Sequence, residues 1–65
     1  MKFKTIRNNR LICEENITRE IYQVIKKTIE NDKNIKLIDS GFSPCGNMVF
    51  YYKDNGDKIR LVFEF

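Results

Sequence analysis

The sequence predicts a two-layer α+β domain over residues 1–65, with one amphipathic helix packed on one face of a small antiparallel sheet. The element order it suggests is β-β-α-β-β-β, or β-α-β-β-β if the first segment is a single strand followed by a loop. Three observations carry this expectation. Ile17, Ile21, Val24, Ile25 and Ile29 recur at helical spacing. Asn55-Gly56 lies between two runs rich in β-forming residues. With 65 residues in all, there is room for one core only.

At the N-terminus, Lys2 to Arg7 reads as a strand ending at Asn8-Asn9. Asparagines tolerate positive φ and suit a two-residue hairpin turn. Arg10 to Cys13 would return beside it, pairing Ile6 with Leu11, Thr5 with Ile12 and Phe3 with Glu14. The helix follows. Thr18 is the expected N-cap, its hydroxyl accepting from an otherwise unpaired backbone N–H. Ile17 and Tyr22 have the spacing of a hydrophobic staple. Arg19, Glu20, Gln23, Lys26, Lys27 and Glu30 fall on the polar side, and the helix is expected to end near Asn31 to Asn34, where asparagine can take the left-handed conformation. Ile35 to Ile38 is a short strand that Asp39-Ser40-Gly41 should break. Phe42 to Asn47, containing Ser43-Pro44-Cys45-Gly46, reads as an irregular loop.

The last third is a hairpin. With Asn55-Gly56 as its loop, Tyr52 faces Ile59, Phe50 faces Leu61 and Met48 faces Phe63, giving one apolar face for the helix to cover. On the other face Tyr51 meets Arg60, Val49 meets Val62 and Lys53 meets Lys58. A one-residue slip would exchange the two faces, so the pattern fixes its own register.

Composition narrows the function. Hydrophobic residues make up 42% of the chain, enough for a core, but a domain this small buries only about 60% of its unfolded surface. Its stability is expected to be roughly 3–5 kcal/mol. A ligand cavity of about 300–1,000 Å3 would be hard to spare from such a core. No run of residues is long and apolar enough to span a bilayer, and Met1 to Arg7 lacks the apolar stretch of a signal peptide. Cys13 and Cys45 are then expected as free thiols in a reducing, cytoplasmic setting, with Cys13 in or near the core. Abundant Lys, Asn and Ile, with no Ala, Trp or His, point to an AT-rich gene, such as that of a low-GC bacterium or one of its phages.

Histidine is absent. The usual general base, Ser/His and Cys/His pairs and the common zinc ligand sets are therefore missing, and the expectation is no enzyme, no metal and no cofactor. Asp54 and Asp57 bracket a turn, which turn chemistry explains without an ion. Asn16-Ile17-Thr18 matches a glycosylation pattern but reads as the start of the helix. Gly41-Phe42, Gly46-Asn47 and the hairpin from Met48 to Phe65 resemble the sheet of HicA-type mRNA-cleaving toxins. Those toxins carry a histidine shortly after the second glycine, where this chain has Met48, and a further helix after the hairpin. The resemblance covers less than half the chain and implies a shared hairpin sheet, without the histidine that the nuclease activity requires.

Two binding classes remain. The bare face of the hairpin offers Val49, Tyr51, Lys53, Lys58, Arg60 and Val62, more apolar than a solvated face needs, which marks a protein interface. The strongly β-forming stretch Ile59 to Phe65 could also add as a strand to a partner's sheet or to a second copy. The leading expectation is a non-enzymatic inhibitor or adaptor of phage or mobile-element type that occupies a partner protein's surface. The alternative is nucleic acid. Net charge is +3, the pI is about 9.0, and Lys2, Lys4, Arg7 and Arg10 fall within the first ten residues with no acid among them. With Tyr51 and Arg60 they could form a basic, aromatic sheet face.

Overall fold

A computed structural model describes residues 1–65. The elements are β1 (Lys2–Arg7), β2 (Arg10–Asn16), α1 (Arg19–Asn31), β3 (Leu37–Phe42), β4 (Met48–Asp54) and β5 (Asp57–Glu64). All strand pairs are antiparallel, in the spatial order β2-β1-β5-β4-β3. One helix and one five-stranded sheet thus form the two layers.

The C-terminal hairpin has the register read from sequence. Met48, Phe50 and Tyr52 oppose Phe63, Leu61 and Ile59, and Val49, Tyr51 and Lys53 oppose Val62, Arg60 and Lys58. Asn55 and Gly56 both take positive φ, 51° and 85°, as a tight turn matched to the strand twist requires. Asn8 and Asn9 do the same for the first hairpin, at 50° and 66°.

The core lies between helix and sheet: Phe3, Tyr22, Ile29, Phe50, Ile59, Leu61 and Phe63, with Phe50 and Phe63 almost fully enclosed. Phe63 stacks on Phe3 at 4.8 Å between ring centroids and meets Tyr22 and Phe50 edge-on. Thr18 caps the helix, its Oγ1 accepting from Ile21 N–H at 3.3 Å.

Five expectations are corrected. First, Ile59 to Phe65 is no free edge, because β5 is the central strand, paired to β1 on one side and β4 on the other. That removes strand addition by the C-terminal segment. Second, β2 carries a bulge: the register shifts between Thr5 and Ile6, so Thr5 pairs with Cys13 rather than Ile12, and Phe3 with Glu15 rather than Glu14. An extra residue, here Ile12, slips the pairing by one. Third, Cys13 is exposed on this outer strand and not in the core. Fourth, β3 continues through Asp39-Ser40-Gly41 to Phe42, because pairing with β4 overrides weak strand propensity. Ile35 and Lys36 precede it. Fifth, the helix leaves through Asp32 in extended conformation (φ −76°, ψ 117°), and no asparagine there is left-handed. The Asp32 carboxylate accepts from Asn34 N–H at 2.9 Å, so an Asx turn replaces the expected exit.

The apolar stripe of α1 is also wider than its buried face. Tyr22 and Ile29 are buried and Ile25 half-buried, while Ile21 and Val24 remain 46% and 65% exposed.

The turn of the N-terminal hairpin is tied to β5 by one residue. Asn8 donates its backbone N–H to Lys58 C=O at 2.8 Å, accepts Lys58 N–H on Oδ1 at 2.9 Å, and donates from Nδ2 to Asp57 Oδ1 at 3.0 Å. Asn8→Ala removes both side-chain bonds and places alanine at positive φ. We expect a loss of about 2 kcal/mol in urea unfolding followed by circular dichroism. Phe63→Ala empties the centre of the core, at a cost of about 3–5 kcal/mol, comparable to the whole expected stability. The variant should lack a cooperative thermal transition at 25 °C and above, and a transition close to that of the parent chain would show that Phe63 does not hold the core.

Candidate functional site

The helix covers one face of the sheet, and register decides what the other face shows. Two rows cross all five strands on the uncovered side. One runs Leu11, Ile6, Arg60, Tyr51, Asp39; the next runs Glu14, Lys4, Val62, Val49, Gly41. Lys53 and Lys58 lie beyond the first row, next to the turns. The six residues expected to meet a partner, Val49, Tyr51, Lys53, Lys58, Arg60 and Val62, thus form one contiguous surface at the middle of the sheet. Val49, Tyr51 and Val62 are half-buried, and Lys53, Lys58 and Arg60 are exposed.

The Arg60 guanidinium lies 5.9 Å from the centroid of the Tyr51 ring, at the outer limit of a cation–π contact. The two side chains border an open groove of about 390 Å3 that is also lined by Val49 and by the β3 segment from Asp39 to Ser43. A Cβ placed on Gly41 would meet nothing within 4 Å, so the missing side chain leaves a depression in an otherwise filled row. The groove draws its volume from the surface, which is how a thin core accommodates it.

The N-terminal cations are distributed differently from a single basic surface. Lys2 reaches Glu14 at 3.5 Å, and Lys4 reaches Glu14 at 3.7 Å and Glu64 more closely. Arg7 pairs with Asp54 and Asp57 at 3.6 and 3.5 Å. Arg7 and Arg10 stand opposite one another in line with Ile59, on the helix side of the sheet. Of the residues proposed for nucleic acid, Lys2, Lys4, Tyr51 and Arg60 share the open face, and the two lysines there have carboxylate partners. Glu64 is held below the usual carboxylate range by its hydrogen bond to Lys4, partly opposed by desolvation. Lys4 is correspondingly raised, first by Glu64.

Sequence reasoning missed Ile6 and Leu11, which extend the apolar row, and Asp39 and Gly41, which shape the groove. The alternation of Ile6 with Lys2 and Lys4 was a usable signal. The groove had none, because it depends on β3 running past Gly41. No group of three or more potential ligand side chains comes together to hold a metal ion, and no helix is long and apolar enough to cross a membrane. Comparison with protein-family models, curated proteins and solved structures finds no significant match.

The Lys4–Glu64 pair sets a pH dependence. A carboxyl with a depressed folded pKa contributes stability above the unfolded carboxylate pKa, and that contribution disappears as pH falls through the folded value. A lysine with a raised pKa contributes below the ordinary lysine value and loses its contribution as pH rises beyond it. Glu64→Gln should therefore flatten the fall of Tm with acid between about pH 5 and pH 3 and converge with the parent chain at lower pH. Identical profiles for the variant and the parent chain would show that the pair does not act in solution.

Proposed function

We propose that this chain is a non-enzymatic protein-binding module, an inhibitor or adaptor that works by laying the open face of its sheet against a partner protein. The observation that carries this reading is the content of that face. Leu11, Ile6, Val62, Val49 and Tyr51 form a continuous apolar and aromatic band across strands whose other side is already filled by the helix. Tyrosine and arginine at the middle of an apolar patch are the residue types on which interface energy concentrates. The N-terminal cations support a protein partner over a polyanion, since Lys2, Lys4 and Arg7 all lie beside carboxylates. The two exposed free thiols suit a reducing, cytoplasmic setting.

One observation favours the nucleic-acid reading. Lys53 and Lys58 oppose each other beside Tyr51 with no carboxylate within ion-pair distance, and they could meet phosphates while the ring stacks on a base. Salt separates the two readings, because phosphate contacts release counterions and weaken steeply as salt rises. The test is affinity capture from host lysate in about 0.5 M salt, a regime in which Debye screening extends only a few ångströms, with Tyr51→Ala as the matched control. A protein retained by the parent chain and lost with Tyr51→Ala supports the proposal. Capture that Tyr51→Ala leaves intact, or binding confined to nucleic acid at low salt, would overturn it.

A further inference from the structure

The sheet has two edges, and they are finished differently. At β3 the Ser43 N–H bonds to Asn47 C=O at 2.7 Å, so alternation turns the Ser40 N–H outward. There the Asp39 carboxylate accepts it at 2.8 Å. One outward amide of this edge is thus met by its own side chain, and the irregular pairing between Leu37 and Asp39 interrupts the strand.

Strand β2 is the other edge, and all seven of its residues are exposed, with Leu11 at 52% and Ile12 at 53%. Its outward backbone groups can be located. Asn8 N–H bonds to Lys58 C=O and Ile17 N–H to Met1 C=O. Between these two points, alternation along β1 aims Phe3, Thr5 and Arg7 at β2 and leaves Leu11, Glu14 and Asn16 with N–H and C=O pointing away from the sheet. The bulge at Ile12 separates Leu11 from the other two. It also changes the faces: Leu11 and Glu14 lie on the open side of the sheet, in line with Arg60 and Val62, while Arg10 and Glu15 lie on the helix side, in line with Ile59 and Phe63. Arg10 and Glu15 are exposed, and neither has an ion-pair partner within the fold.

From this we infer that β2 pairs antiparallel with β2 of a second copy of the chain, about a two-fold axis between Ile12 and Cys13. In this register Leu11 opposes Glu14 of the second copy, Arg10 opposes its Glu15, and Ile12 opposes its Cys13. Three requirements are met together. Leu11 and Glu14 have free backbone groups, and they face each other twice, while Asn16 falls opposite the turn residue Asn9. Opposed residues lie on the same side of the sheet. The unpaired Arg10 and Glu15 charges meet, also twice. Shifting the register by one residue sets outward backbone against inward and Arg10 against a residue on the opposite face. The contact is isologous, as a closed two-fold pair must be.

The product is a ten-stranded sheet with both helices on one side and two open faces joined on the other. The inference does not rest on the proposed protein-binding role, because the open face stays bare in the pair. An edge contact alone lies below the roughly 800 Å2 per partner of standard interfaces, so the association is weak and concentration-dependent.

Sedimentation equilibrium tests it, over loadings up to about 1 mM, the concentration at which a Kd of that size half-saturates. The mass should rise from the 7.8 kDa monomer towards twice that value. Arg10→Glu alone, or Glu15→Arg alone, should raise the dimer Kd by at least about tenfold, because each reversal sets two like-charge pairs in place of two attractive ones. Mixing the two variants should restore association, since each then supplies the charge that the other lacks. Both positions are exposed, and circular dichroism checks that each variant keeps the fold. A chain that remains monomeric at the highest loading, or a dimer indifferent to both reversals, overturns the inference. If the dimer fails while Tyr51-dependent capture survives, only the edge pairing is wrong.

Discussion

Everything else in this structure depends on β5 being held between two neighbours. Its odd-numbered residues, Ile59, Leu61 and Phe63, supply the centre of the core, and its even-numbered residues, Arg60 and Val62, supply the centre of the open face. A strand in that position joins two hairpins that would each be marginal alone. The β4 side is fixed by a local turn at Asn55-Gly56. The β1 side is fixed by contacts distant in sequence: Phe3 on Phe63, Lys4 with Glu64, Arg7 with Asp57, and the three hydrogen bonds of Asn8. These contacts spread along the whole length of β1, so a register slip would break several of them at once.

The open face follows from the same arrangement by subtraction. A single helix reaches only one side of five strands, so the other side is left with whatever the period-two pattern assigns to it. Here that is a band of aliphatic residues, one tyrosine, one arginine and a few paired charges. Such a surface is more apolar than a solvated face needs, and the two lysines that β1 adds to it lie beside glutamates. Exposed ion pairs of this kind add little stability. Their main effect is on charge distribution: they convert a basic N-terminal segment into a nearly neutral part of the sheet.

How much of this was legible in the sequence depended on how local each cause was. The C-terminal register and the Thr18 cap were legible, because each is set within a few residues by turn or capping chemistry. The central place of β5 was not, because alternation of apolar and polar residues looks the same for a central strand and an edge strand. Only Lys4 with Glu64 and Phe3 with Phe63 distinguish the two, and neither pair stands out before the strands are adjacent. The bulge at Ile12 was hidden for the same reason. β-branched Ile12 fits a regular ladder as well as a bulge, so the extra residue in β2 leaves no local mark. The helix misled through its width: Ile21 and Val24 belong to the apolar stripe, but Tyr22 has the reach to fill the space above Phe63 and turns the helix so that they are left out. The open face was legible along β4 and β5 and not along β1 and β3, whose contributions appear only with the full strand order.

The measurement that bears most directly on this account is native-state amide hydrogen exchange along β5. A strand paired on both sides has every amide bonded, so Lys58 through Phe63 should all exchange slowly, odd and even positions alike. Alternating protection, with every second amide exchanging at the rate of an open chain, would place β5 at an edge and contradict both the core and the open face described above.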